Sequence, residues 1–186
     1  MLFLSTKLSN IPLLSIRNAG RIGLVLKPII NPHNLHVDGF YCQVPHSQKP
    51  VILLDMFVRE LSPSGLITNE HNDLSEPEEL VRLQPILKLQ FDLVGKTVIS
   101  GNKKLGKVAE YAVDKDSLFV QKLYVQPPAW ASFSQSRLTI DRQSVLEVTQ
   151  SSIKVSGPEE KATVTKLTKA PLLAPDYSPR ASFIEE

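Results

Sequence analysis

Cysteine is nearly absent from this chain of 186 residues, which has one, Cys42. A single cysteine excludes a disulfide framework within the chain and a zinc site built from several thiolates. It is also typical of a protein kept in a reducing compartment. We therefore expect a cytoplasmic protein.

Long apolar runs are missing as well. No stretch approaches the roughly 20 apolar residues of a membrane span. The first ten residues, MLFLSTKLSN, lack the apolar core of about 7–15 residues that a signal peptide requires. Hydrophobic residues make up 42% and charged residues 22%, which is ordinary for a globular domain. The composition predicts a folded chain with no membrane span.

An excess of one sign of charge is missing, because 21 Lys and Arg residues nearly balance 19 Asp and Glu residues and the formal net charge is +2. Only residues 91–156 lean basic, with nine Lys or Arg against six Asp or Glu, a difference of three. A dedicated nucleic-acid-binding domain concentrates far more basic charge on one face. The sequence leaves room for a modest basic patch.

Signatures of catalysis are missing too. The loop from Gly101 to Gly106, GNKKLG, is glycine-rich, but it lacks the GK[ST] ending of a phosphate-binding loop and no helix pattern follows it. Cys42 lies in an alternating strand with no activating context, which favours a small buried hydrophobe over a nucleophile. We predict no catalytic residue and no cofactor.

One group of residues is a candidate for metal binding. His33, His36 and Asp38 are metal-ligand types, and His46 is close in sequence. Their spacing fits no regular metal motif, and isolated histidines are most often surface groups. We interpret the segment as a polar hairpin loop and predict no metal ligand.

What the chain does contain is an internal repeat. Shifting the sequence by 83 residues, and later by 87, superposes apolar residues and glycines of the two halves. The change of shift means that the second copy has four more residues in the loop 127–137, which corresponds to the shorter loop 45–50. The superposed pairs include Ile16 on Ile99, Gly23 on Gly106, Leu35 on Leu118, Tyr41 on Tyr124, Gln43 on Gln126, Leu53 on Ile140 and Val58 on Val145.

Each copy is predicted to be all-β. The segments are short, rich in β-branched and aromatic residues, and separated by turn residues at the spacing of small closed barrels. The first copy has more proline and is expected to be the more irregular one. Gly23 and Gly106 are expected at a hairpin exit or at a positive φ.

Residues 74–89 are predicted to form a short helix that links the copies. Ser75 can cap its N-terminus, and Pro85 is expected to end or kink it. Three leucines share one face, which is expected to pack between the two barrels, although a partner-binding helix is the alternative. These leucines are Leu80, Leu83 and Leu87.

The last 30 residues, 157–186, have four prolines and no clean periodicity. This composition predicts a flexible, mostly disordered tail. Apolar residues such as Tyr177 and Phe183 leave open a docking peptide as the alternative.

Two further groups are candidate interaction residues. Lys103, Lys104 and Lys107 cluster at a hairpin tip, where they would contact RNA phosphates or simply keep the hairpin soluble and protect an edge. Trp130 and Phe133 lie in the longer loop of the second copy, where they would anchor an interface or cap one barrel end.

A family resemblance can be stated on these patterns. Leu93-Val94-Gly95-Lys96, then Leu105-Gly106-Lys107-Val108, then the apolar strands 118–125, 138–140, 145–148 and 153–155 resemble a PRC-barrel domain. This is the small barrel of the photosynthetic reaction-centre H subunit and of the C-terminus of the ribosome-maturation factor RimM. The resemblance is good over about 90–156 and weaker over about 10–70.

The resemblance implies an all-β fold of two small PRC-like barrels in tandem, joined by a short α-helix and followed by a flexible tail. The family has no shared catalytic residues, so it implies a non-enzymatic adaptor that docks onto a protein or ribonucleoprotein assembly. An RNA- or ribosome-associated maturation factor is the alternative. The expected divisions are 1–73 for the divergent barrel, 74–89 for the linker helix, 90–156 for the PRC barrel and 157–186 for the tail.

Overall fold

The structure, a computed structural model, describes residues 1–45, 47–128 and 137–156. In these ranges the chain is all-β, with fourteen strands and one short α-helix, as expected. The strands are β1 Leu2–Leu4, β2 Ile11–Ser15, β3 Gly20–Ile30, β4 Val37–Gln43, β5 Val51–Leu54, β6 Val58–Ser62, β7 Gly65–Thr68, β8 Leu74–Ser75, β9 Thr97–Ser100, β10 Lys103–Asp114, β11 Val120–Gln126, β12 Leu138–Asp141, β13 Val145–Val148 and β14 Ser152–Val155, and the helix is α1 Gln84–Leu89.

The strands form two seven-stranded sheets. The first sheet has the order β6-β7-β2-β3-β4-β5-β8 and is a half-barrel. The second sheet has the order β12-β11-β10-β9-β14-β13, and β1 pairs with the end of β10. One pair in each sheet is parallel, β2 with β7 and β9 with β14. The other neighbours are antiparallel, so the two sheets share one topology.

The internal repeat is confirmed by the strand registers. In the first sheet Leu24 lies opposite Gln43, and in the second sheet Lys107 lies opposite Gln126, an offset of 83 on both strands. The remaining pairs of these ladders follow the same offset, including both β-bulges. The hairpins β6–β7 and β13–β14 are related by 87, as Leu61 opposite Leu66 and Val148 opposite Ile153 show.

One part of the predicted superposition is wrong. Leu13 lies opposite Gly23 and Val98 lies opposite Gly106, so the first strands are offset by 85 residues. Ile16, which the sequence places on Ile99, is in the turn after β2 and is 60% exposed. The turn after β2 is longer than the turn after β9, and a single sequence shift cannot show where such a difference begins.

The two sheets bury one continuous apolar cluster. Side chains of both repeats contribute to it, and β1 adds Phe3. A unit of about 70 residues buries little core by itself, and a shared core removes more apolar surface from water. The residues without any exposed surface include Leu13, Phe40, Leu66, Leu93, Val98, Leu123 and Ile153.

The repeats also meet through their backbones. The N–H of Val37 donates to the carbonyl of Leu118 at 2.9 Å, and the N–H of Val120 donates to the carbonyl of Leu35 at 2.9 Å. The two bonds are equivalent, because Val37 and Val120 occupy the same position in the two repeats, and so do Leu35 and Leu118. The junction is therefore a local twofold contact in which equivalent residues meet.

A side-chain-capped turn precedes the junction in each repeat. The Asn31 side chain accepts from the N–H of His33 at 3.0 Å, and the Asp114 side chain accepts from the N–H of Asp116 at 3.2 Å and of Ser117 at 3.0 Å. Asn and Asp stabilise such turns by hydrogen bonding to the backbone two residues ahead. The two repeats thus use an amide and a carboxylate for the same purpose.

The linker differs from its prediction. Leu74 and Ser75 form β8 against β5, and the helix begins only at Gln84, with Pro85 in its first turn. Proline is favoured there because the first turn has no N–H bond to lose. In the described ranges no helix is long and apolar enough to cross a membrane.

The leucines of the linker share a face as predicted, but they pack against the first sheet and not between two barrels. Leu83 is buried with Ile29 and Ile52 in a second, smaller apolar cluster. Leu80 and Leu87 pack against the same cluster.

Gly106 has a positive φ of 149°, which confirms one of the two alternatives expected for it. The other alternative is wrong, because Gly106 lies inside β10 and not at the hairpin exit. A Cβ built there would lie 2.1 Å from the carbonyl oxygen of Gln126. Gly23 meets neither expectation, because it lies inside β3 and its φ is not positive. A Cβ built there would lie 2.5 Å from the carbonyl oxygen of Gln43. Both glycines therefore permit a neighbouring strand to approach closely, and the hairpin turn itself contains Gly101.

Replacing Gly106 with valine is expected to lower the free energy of unfolding by about 3 kcal/mol or more, since the side chain meets a backbone oxygen and the backbone is strained. Urea unfolding of both proteins measures the difference. Gly20→Val is the matched control, because Gly20 has no atom closer than 3.7 Å to a built Cβ. Equal losses for the two variants would contradict this account.

Replacing Asp114 with asparagine is expected to cost about 1–2 kcal/mol at neutral pH, and the cost should shrink as the pH falls from about 4 to 2. The hydrogen bond from the N–H of Ser117, helped by the N-terminal amine, lowers the pKa of Asp114 to about 2. A lowered pKa in the folded protein stabilises the fold above the ordinary value, and this stabilisation is lost as the folded carboxylate protonates.

Urea unfolding at several pH values measures this effect. Asp116→Asn is the control, because that carboxylate is 70% exposed and its one ion pair within the described ranges is with Lys115. A difference between wild type and Asp114→Asn that does not change with pH would show that the charge of Asp114 has no role.

Candidate functional site

The predicted lysine cluster lies on the hairpin of β9 and β10. Lys104 lies opposite Ile99 and Lys107 lies opposite Thr97, so the bulge between them puts both lysines on the outer face of the second sheet. Lys103 lies opposite Ser100 and follows the turn directly, on the other face of the hairpin. The structure thus brings the lysines to one exposed tip, but not to one flat face.

The lysine tip carries uncompensated charge. Within the described ranges Lys103, Lys104 and Lys107 are exposed and form no ion pair. Lys154 belongs to the same outer row, because it lies opposite Ile99 on the neighbouring strand. Its ammonium is 2.5 Å from a carboxylate oxygen of Glu147, which balances its charge.

Lys96, which is close to the tip in sequence, has a different role. Its ammonium lies 4.4 Å from the centroid of the Phe91 ring and donates to the carbonyl of Gln150 at 2.5 Å. Partial burial lowers the pKa of Lys96, and the nearby Asp92 opposes this shift. Lys96 therefore ties Phe91 to the turn between β13 and β14.

The remaining predicted interaction residues fall outside the described ranges. These are Trp130 and Phe133 in the longer loop and Tyr177 and Phe183 in the tail. They stay predictions.

His36 and Asp38, considered as metal ligands, form part of the repeat junction. The two ring nitrogens of His36 face carboxylates, Nδ1 at 2.9 Å from Asp38 and Nε2 at 3.9 Å from Asp55. The ring packs edge-on against Phe119 of the second repeat, with centroids 4.6 Å apart. In the described part of the chain no group of three or more His, Cys, Asp and Glu residues could hold a metal ion. His46 lies outside that part.

Arg142 is the junction residue that the sequence did not reveal. Its guanidinium lies 4.1 Å from the centroid of the Phe119 ring and donates to the carbonyl of Asn34 at 2.9 Å. Arg142 occupies the position of Asp55 in the repeat, while Phe119 occupies that of His36. The same pair of positions therefore holds an aspartate beside a histidine in one copy and an arginine over a phenylalanine in the other. A contact between residues 108 apart leaves no local pattern that could have predicted it.

A cleft of about 570 Å³ lies beside this junction. One side is the turn that contains Asn34, and the other is the edge strand β13. Leu146 of β13 lines the cleft and is 68% exposed. An exposed leucine on a strand edge is a feature of interaction sites, although a single such residue is common on protein surfaces.

Cys42 is buried without exposed surface, which confirms the sequence interpretation. Burial raises the pKa of its thiol to about 12, with a smaller opposing effect from a hydrogen bond to the backbone of Leu53. The thiolate is the reactive form of cysteine. Cys42 is therefore a packing residue at neutral pH.

Comparison with known proteins adds no relative. No model of a known protein family matches the chain, and no curated protein matches it.

Proposed function

We propose that this chain is a non-enzymatic adaptor of the cytoplasm, made of tandem PRC-like barrels that dock onto a protein or ribonucleoprotein assembly. The shared strand order of the two sheets, with one parallel pair in each, supports a duplicated small barrel. The resemblance of residues 90–156 to the PRC-barrel family supplies the docking role.

The observation that carries the proposal is the contrast between a repeated interior and a divergent exterior. Both copies fill their inner faces with apolar side chains of one shared core. Outside, the positions of Lys104 and Lys107 are held by Arg21 and Leu24 in the first repeat. Two copies of one scaffold that keep their packing and differ on their surfaces are suited to binding different groups at different faces.

The exposed surface offers apolar anchors on elements other than β9 and β10, which carry the lysine tip. Met56 is 74% exposed in the turn between β5 and β6, and Val81 is 76% exposed in the linker. Leu146 on β13 adds a third such side chain. Large exposed apolar side chains contribute to protein interfaces when a partner covers them.

Affinity purification of the full chain from its native cells tests the adaptor proposal. We expect one protein, or one assembly, to be recovered with wild type in reproducible stoichiometry. Met56→Asp and Leu146→Asp, made separately, should identify the docking face because one of them loses that partner. Glu60→Asp is the control. A wild-type protein that recovers no specific partner would overturn the proposal.

An RNA- or ribosome-associated assembly factor is the second candidate, and the unpaired charge of the lysine tip favours it. Phosphate oxygens are the natural partners of exposed lysines that have no carboxylate nearby. Glu110, the next acidic residue along β10, is engaged by the hydroxyl of Thr6 at 2.8 Å.

Co-sedimentation with ribosomal particles tests this candidate. Changing Lys103, Lys104 and Lys107 together to glutamate should abolish binding. For wild type, three phosphate contacts predict a slope of about −2 to −3 in a plot of log affinity against log salt. The matched control changes three scattered exposed lysines, Lys7, Lys49 and Lys88, to glutamate. No sedimentation of wild type at low salt, or an equal loss for both triple variants, would refute a role for the tip.

A further inference from the structure

An elongated groove runs along the outer side of β3. It consists of two adjoining cavities of about 550 Å³ and 410 Å³ that share the residues Lys27, Pro28, Ile30, Phe91 and Asp92. The first cavity extends to α1, and the second extends to the N-terminal turn and β10. We call it the tyrosine groove, because Tyr41 lines one end and Tyr111 the other.

Tyr111 has an unusual environment. Its ring belongs to the shared core and the residue is 4% exposed. Its hydroxyl makes no hydrogen bond within the described ranges, although no fully buried side-chain nitrogen or oxygen there lacks a partner. The hydroxyl must therefore keep some accessible surface, and the surface that Tyr111 lines is the groove.

The two tyrosines are donors at neutral pH. Burial raises the pKa of Tyr111, and the nearby Asp92 raises it further. Burial also raises the pKa of Tyr41, whose ring has the Lys27 ammonium 5.5 Å from its centroid. The Tyr41 hydroxyl makes no hydrogen bond in the described part of the chain either. Each phenol thus presents an O–H with no acceptor.

The groove lies between the two repeats, and equivalent positions of both line it. The position of Tyr111 in the first repeat is Pro28, and both residues line the groove. The position of Tyr41 in the second repeat is Tyr124, which does not line it. The groove is therefore formed by the two repeats of the chain together and not by either repeat alone.

The lining defines the chemistry of a ligand. The shared section contributes Pro28, Ile30 and Phe91, which favour an apolar body. Polar side chains line the two ends, and the tyrosine hydroxyls there favour a ligand with hydrogen-bond acceptors. One lysine and one aspartate in the shared section, Lys27 and Asp92, give no net charge, which disfavours a polyanion such as RNA. Addition of a β-strand needs an open sheet edge, whereas β3 lies between β2 and β4.

A polyproline II helix has these properties. It has no internal hydrogen bonds, so its carbonyls are free acceptors, and its pyrrolidine rings pack on aromatic side chains. We propose that the tyrosine groove binds a proline-rich segment of a partner protein, with the hydroxyls of Tyr41 and Tyr111 donating to its carbonyls. This inference rests on the adaptor function proposed above and specifies the kind of partner.

Nuclear magnetic resonance titration of the full ¹⁵N-labelled chain with an oligoproline peptide tests the inference. We expect amide shifts around the groove, at Asn10, Gln90 and Asp92, and none at the lysine tip. A glycine-serine peptide of equal length should produce no shifts, because it lacks rings to pack on the aromatic walls.

Three phenylalanine variants separate the hydroxyl contribution from folding. Tyr111→Phe and Tyr41→Phe should each weaken binding about fivefold, the value of one hydrogen bond of about 1 kcal/mol. Tyr124→Phe, at the repeat position of Tyr41, should bind as wild type does. Thermal melting of all three should match wild type, since none of the three hydroxyls makes a hydrogen bond within the described ranges.

The possible outcomes are distinct. Oligoproline that produces no shifts, or shifts away from the groove, overturns the inference, and so does unchanged affinity of both groove variants. Shifts in the groove on dilution of the chain alone, or with oligouridine in place of the peptide, would assign it to a second copy or to RNA and would also overturn it. A partner recovered equally well by wild type and Tyr111→Phe leaves the adaptor function standing without this groove, whereas no recovered partner removes the adaptor function itself.

Discussion

The reciprocal backbone contact between the repeats is the constraint on which the rest of the structure depends. Val37 bonds to Leu118 and Val120 to Leu35, and both donors and acceptors belong to the starts of equivalent strands. Leu35 and Leu118 adopt a positive φ of 59° and 54° to make this possible. A non-glycine residue in that conformation is held there only by its surroundings. The capped turns before it and the core below it supply that support.

This contact also explains why the two copies could diverge at their surfaces. Packing and backbone bonding fix the inner faces and the junction, so substitutions there affect both repeats. The outer faces carry no such constraint. Side chains also differ within the junction, where Asp55 lies beside His36 in one copy and Arg142 over Phe119 in the other, although the backbone contact is the same.

The fold class and the repeat could be predicted from the sequence, because apolar periodicity and repeated glycines record strand positions directly. The register of β3 with β4 and of β10 with β11 follows the shift of 83 through every pair. The offset of the first strands could not be predicted, because the turn after β2 differs in length. The predicted length of the helix was too great. Ser75 and Glu78 have the properties of a helix start, but Leu74 and Ser75 pair with β5 as a strand.

The candidate site was predictable only in part. Three lysines within five residues, Lys103, Lys104 and Lys107, predict an exposed hairpin, and the structure places them on one. The groove could not be predicted, because its residues are far apart in the sequence. Phe91 follows the linker, Tyr41 is in the first repeat and Tyr111 is in β10 of the second, and no local pattern connects them. Tyr111 in particular has the spacing of a core residue, and its ring is part of the core. Only the three-dimensional structure shows that the residue also lines the groove.

The pairing of β1 with β10 has a consequence for how the chain acquires this structure. Leu2 lies opposite Asp114, so the first strand has no partner until more than a hundred further residues have been synthesised. Domains otherwise tend to fold in the order of their synthesis, and contacts between distant residues slow folding. Phe3 is therefore expected to pack only after β10 has formed. We expect β1 to be among the last strands to fold.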